Sequence, residues 1–100
     1  MIVYNVTIKI EPEIHDDWMA WMKDKHIPAV METGYFFDHK MYRLMELNEA
    51  DGITYAIQYF CDSFENYMQY QKERAPALQE EHTARYKDKF VAFRTLMRAV

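Results

Sequence analysis

The order in which two hydrophobic periodicities follow one another is the strongest constraint on how this chain folds. Four segments alternate with a period of two or are rich in β-branched and aromatic residues, which is typical of β-strands. Two longer segments repeat apolar residues at intervals of three, four or seven, which is typical of amphipathic helices. The strand segments are residues 1–10, 36–47, 53–61 and 90–100, and the helical segments are residues 12–25 and 62–87.

The predicted order β–α–β–β–α–β is a doubled βαβ unit. Connection rules for such units favour an α+β fold, a ferredoxin-like sandwich in which two helices cover one face of a four-stranded antiparallel sheet. A length of 100 residues suits one domain, so we expect residues 1–100 to form a single domain. The other sheet face would stay uncovered, and a second copy of the chain would cover it in a dimeric α+β barrel.

The side chains expected on the uncovered face are too apolar for a solvent-exposed surface and too polar for an apolar core. Asn5, Gln58 and Arg94 would converge there, and a buried Arg94 would require a polar or anionic partner. Two interpretations remain open: a dimer interior whose polar groups satisfy one another, or a cavity that binds a small molecule. The expected residues of this face are Val3, Asn5, Thr7, Ala56, Gln58, Phe60, Ala92, Arg94 and Leu96.

The segment from His26 to Phe37 connects the first helix to the second strand. The first helix is predicted to end near residue 25, and a short turn is predicted at 27–33. Pro28 suits the first position of a helical turn, and Gly34 suits a left-handed C-terminal cap. His26 lies at the predicted chain break and titrates near neutrality, which makes it the best candidate for a general base. The alternative is a structural histidine that bonds backbone carbonyl groups at a helix end.

The second helical segment carries signals for its start and for an interruption. Asp62 is predicted to be its N-cap, with Glu65 reaching back in a capping box. Pro76 is predicted to interrupt it, since proline cannot donate a backbone hydrogen bond. His82 lies in the restarted part, which is expected to reach about residue 87. The inner stripe of the first part is predicted to be Phe64, Tyr67, Met68 and Gln71.

Composition and charge narrow the function classes. The chain has 12 basic and 16 acidic residues, a net charge of −4 and no basic run, which argues against nucleic-acid binding and against adsorption to an anionic membrane. The residues at 1–10 lack the basic region of a signal peptide. Cys61 is the single cysteine, which favours a reducing compartment and a cytoplasmic location. Sixteen aromatic residues and eight methionines are many for this length, and an oligomer interface or a ligand cavity would provide apolar surroundings for the side chains that a small core cannot bury.

Motifs for metal or cofactor binding are missing from the sequence. The histidines form no pair at a four-residue spacing and no H-E-x-x-H motif, so no metal site is predicted. Gly34 and Gly52 are the only glycines, which leaves no phosphate-binding loop or dinucleotide fingerprint. Trp18 and Trp21 are interpreted as core residues. No cofactor is predicted. The four histidines are His15, His26, His39 and His82.

Six segments together resemble the bacterial family DUF4286 over nearly the whole chain. They read YNVTIKI, WMAWM, HIPAVMETGYF, ITYAIQYFC, APALQEEHTARY and FVAFRTLM. At the level of fold the chain is similar to the dimeric α+β barrel superfamily. That superfamily includes antibiotic-biosynthesis-type monooxygenases, EthD-like and NIPSNAP-like proteins, muconolactone-isomerase-like enzymes and haem-degrading monooxygenases.

The resemblance also implies roles for particular residues. EthD-like members carry an H-x-P segment after the first helix, and His26 and Pro28 match it. Haem-degrading members carry an asparagine on the first strand and a histidine on the second helix, to which Asn5 and His82 would correspond. They also have a tryptophan in the sheet, whereas the third strand here offers Phe60 and no tryptophan.

The sequence therefore predicts a cytoplasmic homodimer that binds a small aromatic or carboxylate-bearing molecule. If the protein is an enzyme, the predicted chemistry is oxygenation or isomerisation without an elaborate cofactor. In that case His26 would move a proton and Asn5, Gln58 and Arg94 would orient the ligand. The cavity would also be lined by Phe60 and His82. The alternatives are a non-catalytic dimerisation module and, third, a haem-binding protein.

Overall fold

An antiparallel four-stranded sheet organises the chain in this computed structural model, which describes all 100 residues. The strand order is β2–β3–β1–β4, so β1 is hydrogen-bonded on both sides and β2 and β4 form the edges. This order confirms the ferredoxin-like α+β fold. The strands are β1 (Ile2–Ile10), β2 (Asp38–Arg43), β3 (Ile53–Cys61) and β4 (Phe90–Arg98).

The helices pack against one face of the sheet and bury a row of aromatic and aliphatic side chains. Tyr4 and Ile8 of β1 and Ile57 and Tyr59 of β3 are each at most 5% exposed beneath them. None of the helices is long and apolar enough to span a membrane. The helices are α1 (His15–Trp21), α2 (Ile27–Glu32), α3 (Phe64–Glu73) and α4 (Ala75–Arg85), with a 3₁₀ turn at Pro12–Ile14 and a π-helical turn at Met22–His26.

The first helical region does not end near residue 25 as predicted, because the π-helical turn joins α1 directly to α2. The Ile27 N–H donates to the carbonyl of Met22, five residues earlier. Pro28 then falls in the first turn of α2, where a missing N–H is tolerated. His26 is therefore the last residue of a widened turn inside a continuous helix. Gly34 follows α2 with a φ of +81°, the left-handed cap that was predicted.

The second helical region starts one residue later than predicted. Ser63 is the N-cap, and its hydroxyl accepts a hydrogen bond of 3.2 Å from the Asn66 N–H. The predicted inner stripe was also wrong in part, because Phe64 and Met68 are 43% and 50% exposed whereas Tyr70 is buried. The interruption ahead of Pro76 is confirmed, since α3 and α4 are separate helices.

Strand β2 is shorter than the predicted 36–47. Pairing with β3 spans Asp38–Arg43, with two further backbone hydrogen bonds, from the Phe37 N–H to the carbonyl of Phe60 and from the Leu44 N–H to the carbonyl of Thr54. Glu46 has a φ of +61°, which takes the chain out of the extended conformation. The residues after β2 therefore belong to the connection to β3.

The register of β4 places Arg94 on the helix-covered face of the sheet. Arg94 lies opposite Val6 of β1, and Val6 lies opposite Ile57 of β3. Residues directly opposite one another share a face, so the prediction of Arg94 on the open face was wrong. Both faces of β4 mix polar and apolar residues, and such a pattern specifies the face weakly. The open face of β4 instead carries Val91, Phe93, Thr95 and Met97.

Substitutions of Ser63, the observed N-cap of α3, and of Asp62, the predicted N-cap, test which residue caps the helix. We expect Ser63→Ala to lower the free energy of unfolding by about 1 kcal/mol, because the first turn of α3 loses its side-chain acceptor. Asp62→Ala, the matched control, changes an exposed residue and should have less than half that effect. Urea denaturation of both variants measures the difference. Equal losses would show that Ser63 does not cap α3.

Candidate functional site

A cavity lies between the helix-covered face of the sheet and the helices. Ten of its fifteen lining residues are hydrophobic, and a few polar groups are directed into it, which is typical of small-molecule sites. About 50 Å³ of the cavity is open to the centre of a water molecule. That space holds several waters at about 10–15 Å³ each, and a ring-sized ligand would need the lining side chains to move apart. The polar lining side chains outside the tyrosines are His26, Gln79, His82, Thr83 and Arg94.

Two histidines from different helical elements meet at this cavity. The π-helical turn supplies His26, and α4 supplies His82, with 5.8 Å between the ring centroids. His26 stacks on Trp21 at 5.2 Å, and His82 meets the ring of Phe90 edge to face at 4.4 Å. Neither nitrogen of His26 is hydrogen-bonded within the protein, so its imidazole remains available to a ligand.

His82 is hydrogen-bonded to the fully buried Trp18. The Trp18 Nε1–H donates to His82 Nε2 over 2.9 Å. An indole nitrogen is a donor only, so His82 Nε2 is the acceptor of this hydrogen bond. Residue Trp18 comes from α1 and is 0% exposed, which fixes the donor in the wall of the cavity.

Burial keeps both histidines neutral. The pKa of His26 is lowered to about 4, mainly by desolvation and to a smaller extent by the nearby positive charge of Arg94. The pKa of His82 is likewise lowered to about 4, mainly by desolvation and to a smaller extent by the neighbouring imidazole of His26 and the positive charge of Arg94. At neutral pH each ring therefore has an unprotonated nitrogen.

Arg94 supplies a positive charge at the opening of the cavity. Its Nε–H donates to the hydroxyl of Tyr4 over 3.0 Å, and Tyr4 itself is 3% exposed. Arg94 lies on an edge strand, is exposed as a residue and forms no ion pair within the chain. Its remaining guanidinium N–H groups are thus free for an anionic ligand.

Tyrosine rings form the wall between Arg94 and the interior. Tyr4 packs against Tyr59 and Tyr70 with ring centroids 6.1 Å apart in both cases. Burial raises the pKa of Tyr59 and of Tyr70, so both remain neutral phenols at any physiological pH. The wall presents flat apolar surfaces and no negative charge.

The structure divides the predicted site residues between the two faces of the sheet. His26, His82 and Arg94 line the cavity. Asn5 and Gln58 lie opposite one another on the open face, and Asn5 Nδ2 donates to the Thr7 hydroxyl over 2.9 Å. Phe60 is on the same open face, opposite Val3, with the ring of Phe37 at 6.3 Å. The predicted convergence of Arg94 with Asn5 and Gln58 was therefore wrong.

The residues do not fit the haem arrangement that the resemblance implied. Asn5 and His82 lie on opposite sides of the sheet, so one ligand in the cavity cannot contact both. The Nε2 atom of His82 is already occupied by the Trp18 N–H. No group of three or more His, Cys, Asp or Glu side chains is arranged to hold a metal ion.

Tyr4 and Trp18 are site residues that the sequence analysis did not identify. Tyr4 belongs to the apolar set of β1, and a buried tyrosine hydroxyl or tryptophan N–H normally has a hydrogen-bond partner. That general requirement was a usable signal for both residues. The identity of each partner was not readable, because Arg94 and His82 lie 90 and 64 residues away along the chain.

The fold and the cavity define a ferredoxin-like α+β protein with an aromatic pocket between its sheet and its helices. Residues 1–100 match the family described as "Domain of unknown function (DUF4286)", and the chain belongs to that family. A comparison with curated proteins gave no significant sequence match.

Several solved structures share the fold. An EthD family protein from Bacillus halodurans C-125 has a TM-score of 0.70 and 14% identity, with all of both chains covered. SnoaB, a cofactor-independent oxygenase from Streptomyces nogalater, has a TM-score of 0.66 and 13% identity over 99% of this chain and 92% of SnoaB. A dimeric ferredoxin-like protein from an uncultured marine organism has a TM-score of 0.65 and 15% identity over 100% of this chain and 95% of its own. At these identities the likeness shows the fold alone.

The lowered pKa values of the half-buried His26 and the buried His82 predict that the protein loses stability in acid. An unfolded histidine binds a proton near pH 6.5, whereas folding lowers the pKa of His26 and of His82 to about 4. Between these values the unfolded state binds more protons, so stability present above pH 6.5 is lost as the pH falls towards 4. We expect a loss of about 2–3 kcal/mol per histidine at pH 4.5, measured by urea denaturation against pH 7.

The double variant His26→Gln/His82→Gln should lose much of this pH dependence. His39→Gln is the matched control, because His39 is exposed on β2 and should leave the dependence unchanged. An unaltered dependence in the double variant would mean that neither histidine is held neutral by folding.

Proposed function

We propose that this protein binds a small aromatic molecule with an acidic oxygen in the cavity beneath its helices and catalyses proton transfer on it. The observation that carries this proposal is the presence of the unbonded, neutral His26 and the cationic Arg94 in one mostly apolar cavity. A base that is neutral, next to a fixed positive charge, suits the removal of a proton to leave a stabilised anion.

The proton transfer follows from the electrostatics of the site. In the ligand-free protein His26 has a pKa of about 4 and is therefore a weak base. Negative charge that develops on the ligand beside His26 would raise this pKa in the complex. Arg94 would hold the oxygen on which the charge collects, as an enolate, phenolate or carboxylate. His26 also borders an outer groove with Trp21, Glu81 and Arg85, through which the proton can pass to solvent.

Two outcomes follow from the same anion. Return of a proton to a different carbon completes an isomerisation. Transfer of an electron from the anion to dioxygen begins an oxygenation, a class to which the similarly folded SnoaB belongs by its description. The aromatic wall formed by Tyr4, Tyr59 and Tyr70 favours a planar ligand for either reaction.

A panel of phenolic and enolic aromatic acids tests the proposal. We expect Arg94→Gln to weaken binding by about tenfold or more, because a charge-assisted hydrogen bond is lost. His26→Gln should keep binding within about threefold and lower kcat by roughly 10² to 10⁴. Binding is followed by tryptophan fluorescence, and turnover by substrate absorbance and oxygen consumption.

Arg98→Gln is the matched control for Arg94, since Arg98 lies on the same strand and does not line the cavity. It should leave binding and turnover unchanged. Full turnover by His26→Gln, or an unchanged affinity in Arg94→Gln, would disprove the assigned roles.

We also propose that two copies of the chain meet through the open face of the sheet. Val91, Phe93 and Met97 on that face are 67%, 64% and 38% exposed, and exposed apolar patches of this kind mark interfaces. The dimeric state described for the uncultured marine protein of the same fold supports the same arrangement. A non-catalytic dimerisation module would use this face alone and would give no role to the cavity.

The single, fully buried Cys61 suits the cytoplasm, which we propose as the location.

A charge on the open face tests self-association. Phe93→Glu should shift the protein from dimer to monomer in size-exclusion chromatography with light scattering, because the dimer would bury a carboxylate. Met45→Glu is the control, since Met45 is 84% exposed in the connection between β2 and β3. A dimer that survives Phe93→Glu would place the interface elsewhere.

A further inference from the structure

We propose that Trp18 is a positioning residue that holds His82 as its Nδ1–H tautomer, so that His82 donates a hydrogen bond to the ligand's acidic oxygen and cannot act as the base. The part of this inference that concerns the ligand rests on the proposed function. The part that concerns the tautomer rests on the fold alone.

The hydrogen bond between the two rings admits only one direction. Trp18 is 0% exposed and its side chain has no other polar atom, so its Nε1–H must donate to His82 Nε2 over the observed 2.9 Å. If His82 carried its proton on Nε2, two N–H groups would face each other and the buried indole N–H would be left without an acceptor. Such an unmade bond in a protein interior is costly, so the fold selects the Nδ1–H form.

The other nitrogen of His82 is free. His82 Nδ1 makes no hydrogen bond within the protein. It nevertheless keeps some solvent-accessible surface, because Glu11 Oε2 is the one side-chain atom that is both inaccessible and without a hydrogen-bond partner. His82 is only 6% exposed as a residue and lines the cavity, so the space that Nδ1 reaches is the cavity. A ligand oxygen placed there would accept the Nδ1–H.

The groups around His82 leave this donor without competition. The charged or titratable neighbours are His26 from the π-helical turn, Arg94 from β4 and Tyr86 after α4. His26 makes no hydrogen bond to His82, with 5.8 Å between the ring centroids, Arg94 has no acceptor, and the Tyr86 hydroxyl already donates to a carboxylate oxygen of Asp17 over 2.8 Å. No carboxylate contacts the imidazole of His82 in a way that would draw a proton onto Nε2.

The two histidines therefore have different tasks. His26 has both ring nitrogens unbonded and can present a lone pair to the ligand, whereas the lone pair of His82 is occupied by Trp18. The ligand class that fits is one with a single oxygen able to accept hydrogen bonds from the His82 imidazole and the Arg94 guanidinium together. An enolate or phenolate oxygen meets this requirement while His26 takes the proton.

Nitrogen-15 NMR of the histidine rings tests the tautomer directly. In the unmodified protein at pH 7 we expect His82 to show a protonated Nδ1 and an unprotonated Nε2, assigned by through-bond correlation of the ring to the His82 backbone. A scalar coupling between Trp18 Nε1 and His82 Nε2 across the hydrogen bond should also be present. A protonated Nε2 on His82 in the unmodified protein would overturn the inference, and this result needs no variant to fold.

Trp18→Phe removes the donor and keeps an aromatic ring in the core. His82 should then exchange between both tautomers, and kcat/KM for a bound member of the aromatic-acid panel should fall by about tenfold. Trp21→Phe is the matched control, because Trp21 stacks on His26 and makes no hydrogen bond to His82. It should leave the His82 tautomer unchanged, and a single Nδ1–H form that persists in Trp18→Phe would refute the role of Trp18.

The two proposals fail in distinguishable ways. If the Nδ1–H tautomer and its dependence on Trp18 are found but no panel member binds, the proposed function fails and the positioning by Trp18 stands. If panel members bind and react while His82 is protonated on Nε2, the proposed function stands and the positioning role is wrong.

Discussion

The site depends on the hydrogen-bonded register of β1, which pairs with β3 on one side and β4 on the other. This register places Tyr4 of β1 next to Tyr59 of β3 and sets the side chain of Arg94 against the same face. A shift of one residue in the pairing of β4 would move Arg94 to the open face and leave the Tyr4 hydroxyl without its donor. The cavity, its charge and its aromatic wall follow from this one alignment.

The widened turn at Met22–His26 is the second constraint on the site. π-helical turns are often found at functional positions, because an extra residue in the turn redirects the side chains around it. Here the turn ends two residues before Pro28 and carries His26 between the interior cavity and an outer groove. His26 thus lines both the cavity and the groove from a single position on the backbone.

The sequence predicted the fold well and the site only in part, for physical reasons that differ between elements. β1 and β3 were predicted closely because their periodicity is strong. The face of Arg94 was wrong, because both faces of β4 mix polar and apolar side chains. The break at His26 was also wrong, although Pro28 was placed correctly in the first turn of a helix, because a π-helical turn joins that helix to α1 without an interruption.

By itself the sequence determined the order of strands and helices, the left-handed cap at Gly34 and the presence of imidazole and guanidinium groups in an acidic chain. Local periodicity and backbone preference are sufficient for those properties. Only the tertiary structure decided that His26, His82 and Arg94 share a cavity and that Trp18 bonds to His82. Those contacts join residues far apart in the chain, and their geometry depends on how the helices pack on the sheet.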